Sequence, residues 1–101
     1  MGKYIIFAGR APYVYDQSLG YFASFIDRGV CSDFRSVSST DSDGIDRFFP
    51  GDEKVKSILS EMNLPEPYSV LTAKVNDEAR LLEEAPEFCR RYKYDFRIYE
   101  V

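Results

Sequence analysis

The 101-residue chain contains no histidine. Histidine is the commonest general base and metal ligand in proteins, and it completes most sites in which serine or cysteine acts as a nucleophile. Its absence removes most hydrolase mechanisms and leaves carboxylate, cysteine, lysine, tyrosine or arginine chemistry. We therefore predict that the protein is not an enzyme and uses no cofactor, and we assign no catalytic residue.

Cysteine and long apolar runs are also scarce. Cys31 and Cys89 lie far apart and neither belongs to a C-x-x-C pair, whereas a structural zinc site usually takes four Cys or His ligands. We predict no metal site. The apolar run near the amino terminus is too short for a signal peptide, and no segment is long enough to span a membrane. Two reduced thiols in a cytoplasmic protein, without a membrane partner, are expected.

Basic residues are outnumbered, with 13 Lys and Arg against 17 Asp and Glu and a net charge of -4. Nonspecific attraction to nucleic acid needs the opposite sign. A basic cluster from Arg90 to Arg97 is interleaved with aromatic residues, which is the pattern most suggestive of a nucleic-acid strand. However, Tyr94 and Phe96 fall on the presumed core side of their strand, so we do not predict a nucleic-acid partner.

Tryptophan is absent, but eight tyrosines and eight phenylalanines make up 16% of the chain. These rings supply large burial areas for a small core, and the phenol groups need polar partners or solvent. Hydrophobic patterning around them predicts the secondary structure. The predicted strands are 3–8, 31–37, 68–75 and 94–100, and the predicted helices are 17–28, 53–62 and 77–92.

Two of these helices leave alternatives open. Gly20 weakens the segment 17–28, which is also compatible with part of a β-hairpin, and we favour the helix because its apolar residues fall on one face. Pro86 lacks a backbone donor and disfavours helical geometry in the preceding residue. We therefore expect a kink or break near Ala85.

The segment 38–47 is rich in serine and aspartate and is predicted to be a polar loop. Its oxygen density resembles that of a calcium site. With Gly44 at the sixth position of an EF-hand loop, however, Pro50 occupies the place of the bidentate glutamate. We interpret residues 39–50 as a solvated loop, with a cation site as the weaker alternative.

These patterns predict one compact α+β domain spanning residues 1–101. We expect a mixed sheet of about four strands, with about three helices packed mainly on one face. The first strand contains four consecutive apolar residues, Tyr4 to Phe7, so we place it centrally.

Our leading hypothesis for function is a non-catalytic protein-binding module, acting as a small inhibitor, adaptor or regulator. Small acidic domains of this kind are often inhibitors encoded by viruses or mobile elements, and we extend that origin to this chain as speculation. Tyrosine and arginine are enriched at interface hot spots, and so many tyrosines do not all fit inside a small core. The candidate partner-binding residues are Arg10, Tyr13, Tyr15, Tyr21, Tyr68, Tyr92 and Tyr99.

Two alternatives remain open. The first is a small enzyme or anion-binding domain that uses Arg10 and Asp16 near the end of the first strand, with a carboxylate or a cysteine. The second is a homo-oligomeric accessory protein, for instance a homodimer, that exposes Phe48-Phe49 and associates through its last strand.

Overall fold

The computed structural model describes residues 2–10 and 15–101, with the backbone only for Tyr15. Within these ranges no helix is long and apolar enough to cross a lipid bilayer. Eight elements follow one another along the chain. They are β1 (Lys3–Arg10), α1 (Tyr15–Asp27), β2 (Cys31–Thr40), α2 (Ile45–Phe48), α3 (Glu53–Met62), β3 (Tyr68–Val75), α4 (Glu78–Tyr92) and β4 (Tyr94–Glu100).

The four strands form one sheet in the order β2-β3-β1-β4, and every neighbouring pair is antiparallel. The fold is the expected α+β domain, but the sheet is antiparallel throughout and not mixed. Strands β1 and β2 run in the same direction, yet β3 lies between them, and β1 likewise separates β3 from β4. Both helical crossovers therefore skip one strand, which gives the strand order and directions of the ferredoxin-like, or split β-α-β, arrangement.

Strand β1 is central, as predicted, and is buried on both faces. Ile5 and Phe7 point into one core, whereas Ile6 and Ala8 point into the other. The strand continues through Gly9 to Arg10, two residues beyond the predicted end, because both residues pair with β3.

Helices cover both faces of the sheet, which corrects the expectation that they pack mainly on one. Helices α1 and α4 lie over one face, where Phe22, Phe25 and Phe88 are fully buried. Helix α3, with the short α2, covers the other face through Val55 and Leu59. The segment between β2 and β3 therefore supplies a second core.

Local signals set the ends of the helices. The Asp52 carboxylate accepts a hydrogen bond from the Val55 N–H at 3.1 Å, and α3 ends at Asn63 in the left-handed conformation, as its sequence predicts. Helix α4 is capped by Asp77, whose carboxylate accepts a hydrogen bond from the Arg80 N–H at 3.1 Å. It runs through Pro86 without interruption, so the predicted break is wrong.

The loop within the polar segment 38–47 is shorter than predicted. Strand β2 continues to Thr40, and α2 begins at Ile45, so only residues 41–44 form a turn. Register shifts interrupt the pairing of β2 with β3 twice, and Asp33 has a positive φ of 51°. Its irregular apolar pattern made this strand hard to extend from sequence.

Candidate partner-binding surface

The carboxyl end of β1 meets the turn between α4 and β4. Gly9 pairs with Tyr94, and a Cβ atom placed on Gly9 would lie 2.5 Å from the carbonyl oxygen of Lys93. Lys93 ends α4 in the left-handed conformation, with a φ of 63°. Arg10 therefore emerges beside the turn that contains Lys93, and its side chain is exposed. Arg10 and Lys93 thus both lie at this end of the sheet.

A buried hydrogen bond fixes α1 to the same end. The Ser18 hydroxyl and the Tyr94 phenol lie 2.9 Å apart, and both residues are buried. Hydrogen-bonded buried polar groups avoid the cost of desolvation without a partner, so this contact favours a single position for α1 over β4. Asp16, in the first turn of α1, is exposed near this end.

Tyr21 on α1 and Tyr92 on α4, two of the candidate partner-binding residues, lie close together. Their ring centroids are 5.8 Å apart with the rings edge to face, and Tyr92 is largely buried. The guanidinium of Arg91 lies over the half-buried Tyr21 ring, 5.3 Å from its centroid. The side chain of Arg91 keeps 53% of its area exposed. We call Tyr21, Arg91 and Tyr92 the Tyr21–Arg91 surface.

The other tyrosines lie elsewhere. Tyr68 is buried under the α3 layer, and burial raises the pKa of its phenol. Tyr99 lies on the α3 side of the sheet, stacked on Tyr4 with centroids 5.8 Å apart. Burial raises the pKa of Tyr99 to about 12. These two candidates do not share a surface with Tyr21, and both Tyr13 and the side chain of Tyr15 fall outside the described residues.

Sequence reasoning did not single out Arg91, which it treated as one member of a basic cluster. Arg91 and Tyr21 lie on different helices and are 70 positions apart in the chain. Local periodicity therefore carries no information about their contact. The only available signal was the position of Arg91, which places it on the same helix as the buried Tyr92.

The thiol groups of Cys31 and Cys89 are free, and neither environment favours the thiolate. Burial raises the pKa of Cys31 to about 11. Burial, and then the nearby Asp95 carboxylate, raise the pKa of Cys89 to about 12. Arg90 and Arg91 follow Cys89 in sequence but do not lower its pKa. A nucleophilic role for either thiol is therefore not supported by its surroundings.

This chemistry gives a direct test. Because the thiolate is the reactive form, both native thiols should react with iodoacetamide at pH 8 at least about tenfold more slowly than in the urea-unfolded chain. Reaction of native Cys31 should keep accelerating up to about pH 11, whereas that of the unfolded thiols levels off above their ordinary pKa. Mass spectrometry of timed samples would follow each site, and native labelling as fast as unfolded labelling would contradict the raised pKa values.

Two carboxylates of α4 are engaged in ion pairs. Glu84 accepts from the Arg28 guanidinium at 2.8 and 2.9 Å, which lowers its pKa. Glu87 accepts from Arg90, and its pKa is lowered as well. Both are therefore ionised at neutral pH and link neighbouring turns and helices.

The acidic 41–44 turn is likewise internally hydrogen-bonded. Asp41 accepts from the Gly44 N–H at 2.8 Å, and the Ser42 hydroxyl donates to Glu66 at 2.9 Å. Across residues 2–10 and 15–101, no three Cys, Asp or Glu side chains are arranged to hold a metal ion. The concavities of about 380 and 460 Å³ beside this turn are lined by neither Arg10 nor Asp16.

Phe48 and Phe49, proposed as a shared exposed pair, separate in the structure. Phe48 is exposed, whereas Phe49 is buried in the α3-side core. The Arg35 guanidinium covers the Phe49 ring, 4.7 Å from its centroid, and pairs with Asp52 at 3.1 Å. Strand β4, the other part of that hypothesis, does form an edge of the sheet.

Comparison of the chain with protein-family models, with curated proteins and with solved structures finds no significant match.

Proposed function

We propose that this protein is a non-catalytic protein-binding module, acting as an inhibitor, adaptor or regulator, and that it contacts its partner through the Tyr21–Arg91 surface. The observation that carries the proposal is the exposed Arg91 guanidinium lying over the Tyr21 ring. Tyrosine and arginine are among the residue types most enriched at energetic hot spots.

The surroundings of Tyr21 support this role. Its ring packs against Phe25, Phe88 and Tyr92, at centroid distances of 5.8, 5.3 and 5.8 Å. These contacts hold the ring in place before any partner arrives, so little conformational entropy is lost on binding. Arg91 is also held on one side by Glu87, 3.9 Å away.

The charge at this end of the molecule indicates the chemistry of the partner. Four cationic residues lie here. Arg10 ends β1, Arg90 and Arg91 lie in the last turn of α4, and Lys93 is the cap of that helix. Of these, Arg90 and Arg91 share one carboxylate, Glu87, and Lys93 has no ion pair within the described ranges. We propose an acidic patch on the surface of a protein partner, met in the cytoplasm, where the two free thiols would stay reduced.

The test is affinity purification from the native cell with nuclease treatment, comparing the wild type with Arg91→Glu and Arg80→Glu. The two arginines lie on the same helix and are similarly exposed, at 53% and 55%, but Arg80 lies away from Tyr21. Arg91→Glu removes the cation from the Tyr21 ring and places a like charge near Glu87. Recovery of a stoichiometric protein partner should fall at least about tenfold with Arg91→Glu, as expected for loss of a hot spot. It should be unchanged with Arg80→Glu.

Circular dichroism and thermal unfolding of both variants would establish that they remain folded. Equal recovery with wild type and Arg91→Glu would refute the proposed surface. Loss of the partner on nuclease treatment would show that nucleic acid, and not protein, is the primary ligand.

A further inference from the structure

Strand β4 lies at one edge of the sheet, and no other strand of residues 2–10 and 15–101 pairs with it on the side away from β1. The Val101 N–H donates to the Gly2 carbonyl at 3.1 Å, and this bond shows which residues of β4 turn their backbone groups toward β1. In an antiparallel pair, alternate residues turn their backbone groups toward the partner strand. The odd-numbered residues of β4 therefore bond to β1, and the even-numbered residues Tyr94, Phe96 and Ile98 direct their N–H and C=O groups outward.

Two side chains occupy the outward groups of Phe96. Its N–H donates to the Asp95 carboxylate at 2.9 Å, and its carbonyl accepts from the Arg97 guanidinium at 2.8 Å. Asp95 and Arg97 also pair with each other at 3.0 Å, and both are well exposed. An exposed ion pair of this kind contributes little to stability, so a second strand displaces it at small cost.

An apolar flank runs beside this edge. Phe96 and Ile98 are only partly buried, on the α4 side of the sheet. Leu82 lies two helical turns before Cys89 on the same side of α4. This side is opposite to the one that contacts α1 through Glu84 and Arg91, and it therefore faces the β4 edge. Leu82 keeps 43% of its surface exposed. The edge thus combines backbone groups directed away from β1 with exposed apolar side chains, which is the combination that strand addition buries.

The geometry points to a second copy of this chain as the occupant, with the two β4 strands antiparallel about Phe96. In that register Phe96 faces Phe96 of the second copy, and Tyr94 faces Ile98. Asp95 of each copy then lies opposite Arg97 of the other. All residues that must exchange backbone hydrogen bonds are even-numbered, so the outward groups meet one another.

Charge selects this register over its neighbours. A pairing centred on Arg97 would set two arginines directly opposite each other, and like charges in that position are destabilising. The pairing about Phe96 instead exchanges two Asp95–Arg97 ion pairs between the copies, while Tyr94, Phe96 and Ile98 meet on the opposite, α4 face. The two copies are related by a two-fold axis perpendicular to the sheet. Both α4 helices therefore lie on the same face of the joined sheet, where they become neighbours.

This pairing is independent of the proposed function. Leu82 and Cys89 mark the β4 side of α4, whereas Arg91 contacts Tyr21 on the α1 side. The Tyr21–Arg91 surface therefore stays exposed in the pair, and either proposal stands if the other fails.

The test uses sedimentation equilibrium at low ionic strength on the full chain and on two charge variants, Asp95→Arg and Arg97→Asp. The wild type should reach twice the 11.7 kDa chain mass as its concentration rises. Each variant alone places like charges opposite each other twice, and its dissociation constant should rise at least about tenfold. An equimolar mixture should recover a 1:1 heterodimer, because each arginine then faces an aspartate.

Recovery of association in the mixture distinguishes a role of this ion pair between two chains from a role within one chain. Neither variant regains its own Asp95–Arg97 pair on mixing, so recovery arises only from contacts between chains. Arg80→Asp, an exposed change on the α1 side of α4, is the matched control and should associate like the wild type. Circular dichroism checks that each variant is folded.

A wild type that stays at the mass of one chain would overturn the proposal and leave the ion pair as a cap on the sheet edge. A dimer insensitive to both variants would also overturn it, since association would then use another surface. Failure of the mixture to associate would exclude the register about Phe96.

Discussion

Replacing Phe88 with alanine should lower the free energy of unfolding by about 4 kcal/mol, which is typical for loss of a fully buried phenylalanine. Among the residues that the structure describes, six aromatic rings have centroids within 6.0 Å of the Phe88 ring centroid, and the Phe7 ring is 4.7 Å away. The ring joins α1, α4 and the sheet, so its removal leaves a cavity where three elements meet. Since small domains have a total stability of about 5–15 kcal/mol, this loss removes at least about a quarter of it.

Urea denaturation followed by circular dichroism measures this loss, and Phe34→Ala is the matched control. The Phe34 ring lies 5.0 Å from Phe22 but keeps 40% of its surface exposed. Its removal leaves an open groove and not a cavity, so the expected loss is under about 1 kcal/mol. Similar losses for both variants would mean that the core is not centred on Phe88.

The sequence was sufficient to locate strands and helices wherever a single periodic pattern dominated. Strand β3 occupies its predicted range, Tyr68–Val75, because turn residues bound it and its apolar side chains alternate between two cores. Strand β4 was equally clear. Strand direction could not be obtained this way, because side chains alternate identically in parallel and antiparallel sheets, and only the three-dimensional path of α1 and α4 decides it.

Helix α4 shows where local preference is overridden. Proline in a helix interior costs about 3 kcal/mol, and this cost led to the prediction of a break near Ala85. The structure offsets it by burying four side chains on the opposite side of the helix, at Leu81, Ala85, Phe88 and Tyr92. At about 1.5–3 kcal/mol for each large side chain, their burial exceeds the cost of the proline.

The candidate surface was only partly predictable for a related reason. Periodicity identifies which face of an element is apolar, but not which faces another layer covers. Tyr68 was expected to be available to a partner, yet the residues between β2 and β3 fold back over it. Tyr21, in contrast, lies at the rim of the α1–α4 layer, where Arg91 completes a surface that involves both helices.

The same distinction between local and tertiary constraints is testable at two glycines. Gly9→Ala should lower the free energy of unfolding by about 3 kcal/mol, a magnitude typical of overpacking. The added methyl group would lie 2.5 Å from both the Lys93 carbonyl oxygen and the Tyr94 ring. A backbone oxygen has no rotamer to change, so β1 and β4 would have to separate, which would also disturb the buried Tyr94–Ser18 contact.

Gly20→Ala is the control, and its effect should have the opposite sign. Gly20 lies inside α1, and no neighbouring atom is within 4 Å of a Cβ placed there. Alanine is favoured over glycine in a helix interior by about 0.5–1 kcal/mol, so this variant should be more stable than the wild type. Thermal unfolding of both proteins would decide the matter. A Gly9→Ala protein as stable as Gly20→Ala would mean that β1 and the α4–β4 turn do not approach each other this closely. The described position of Arg10 beside Lys93 would then also be wrong.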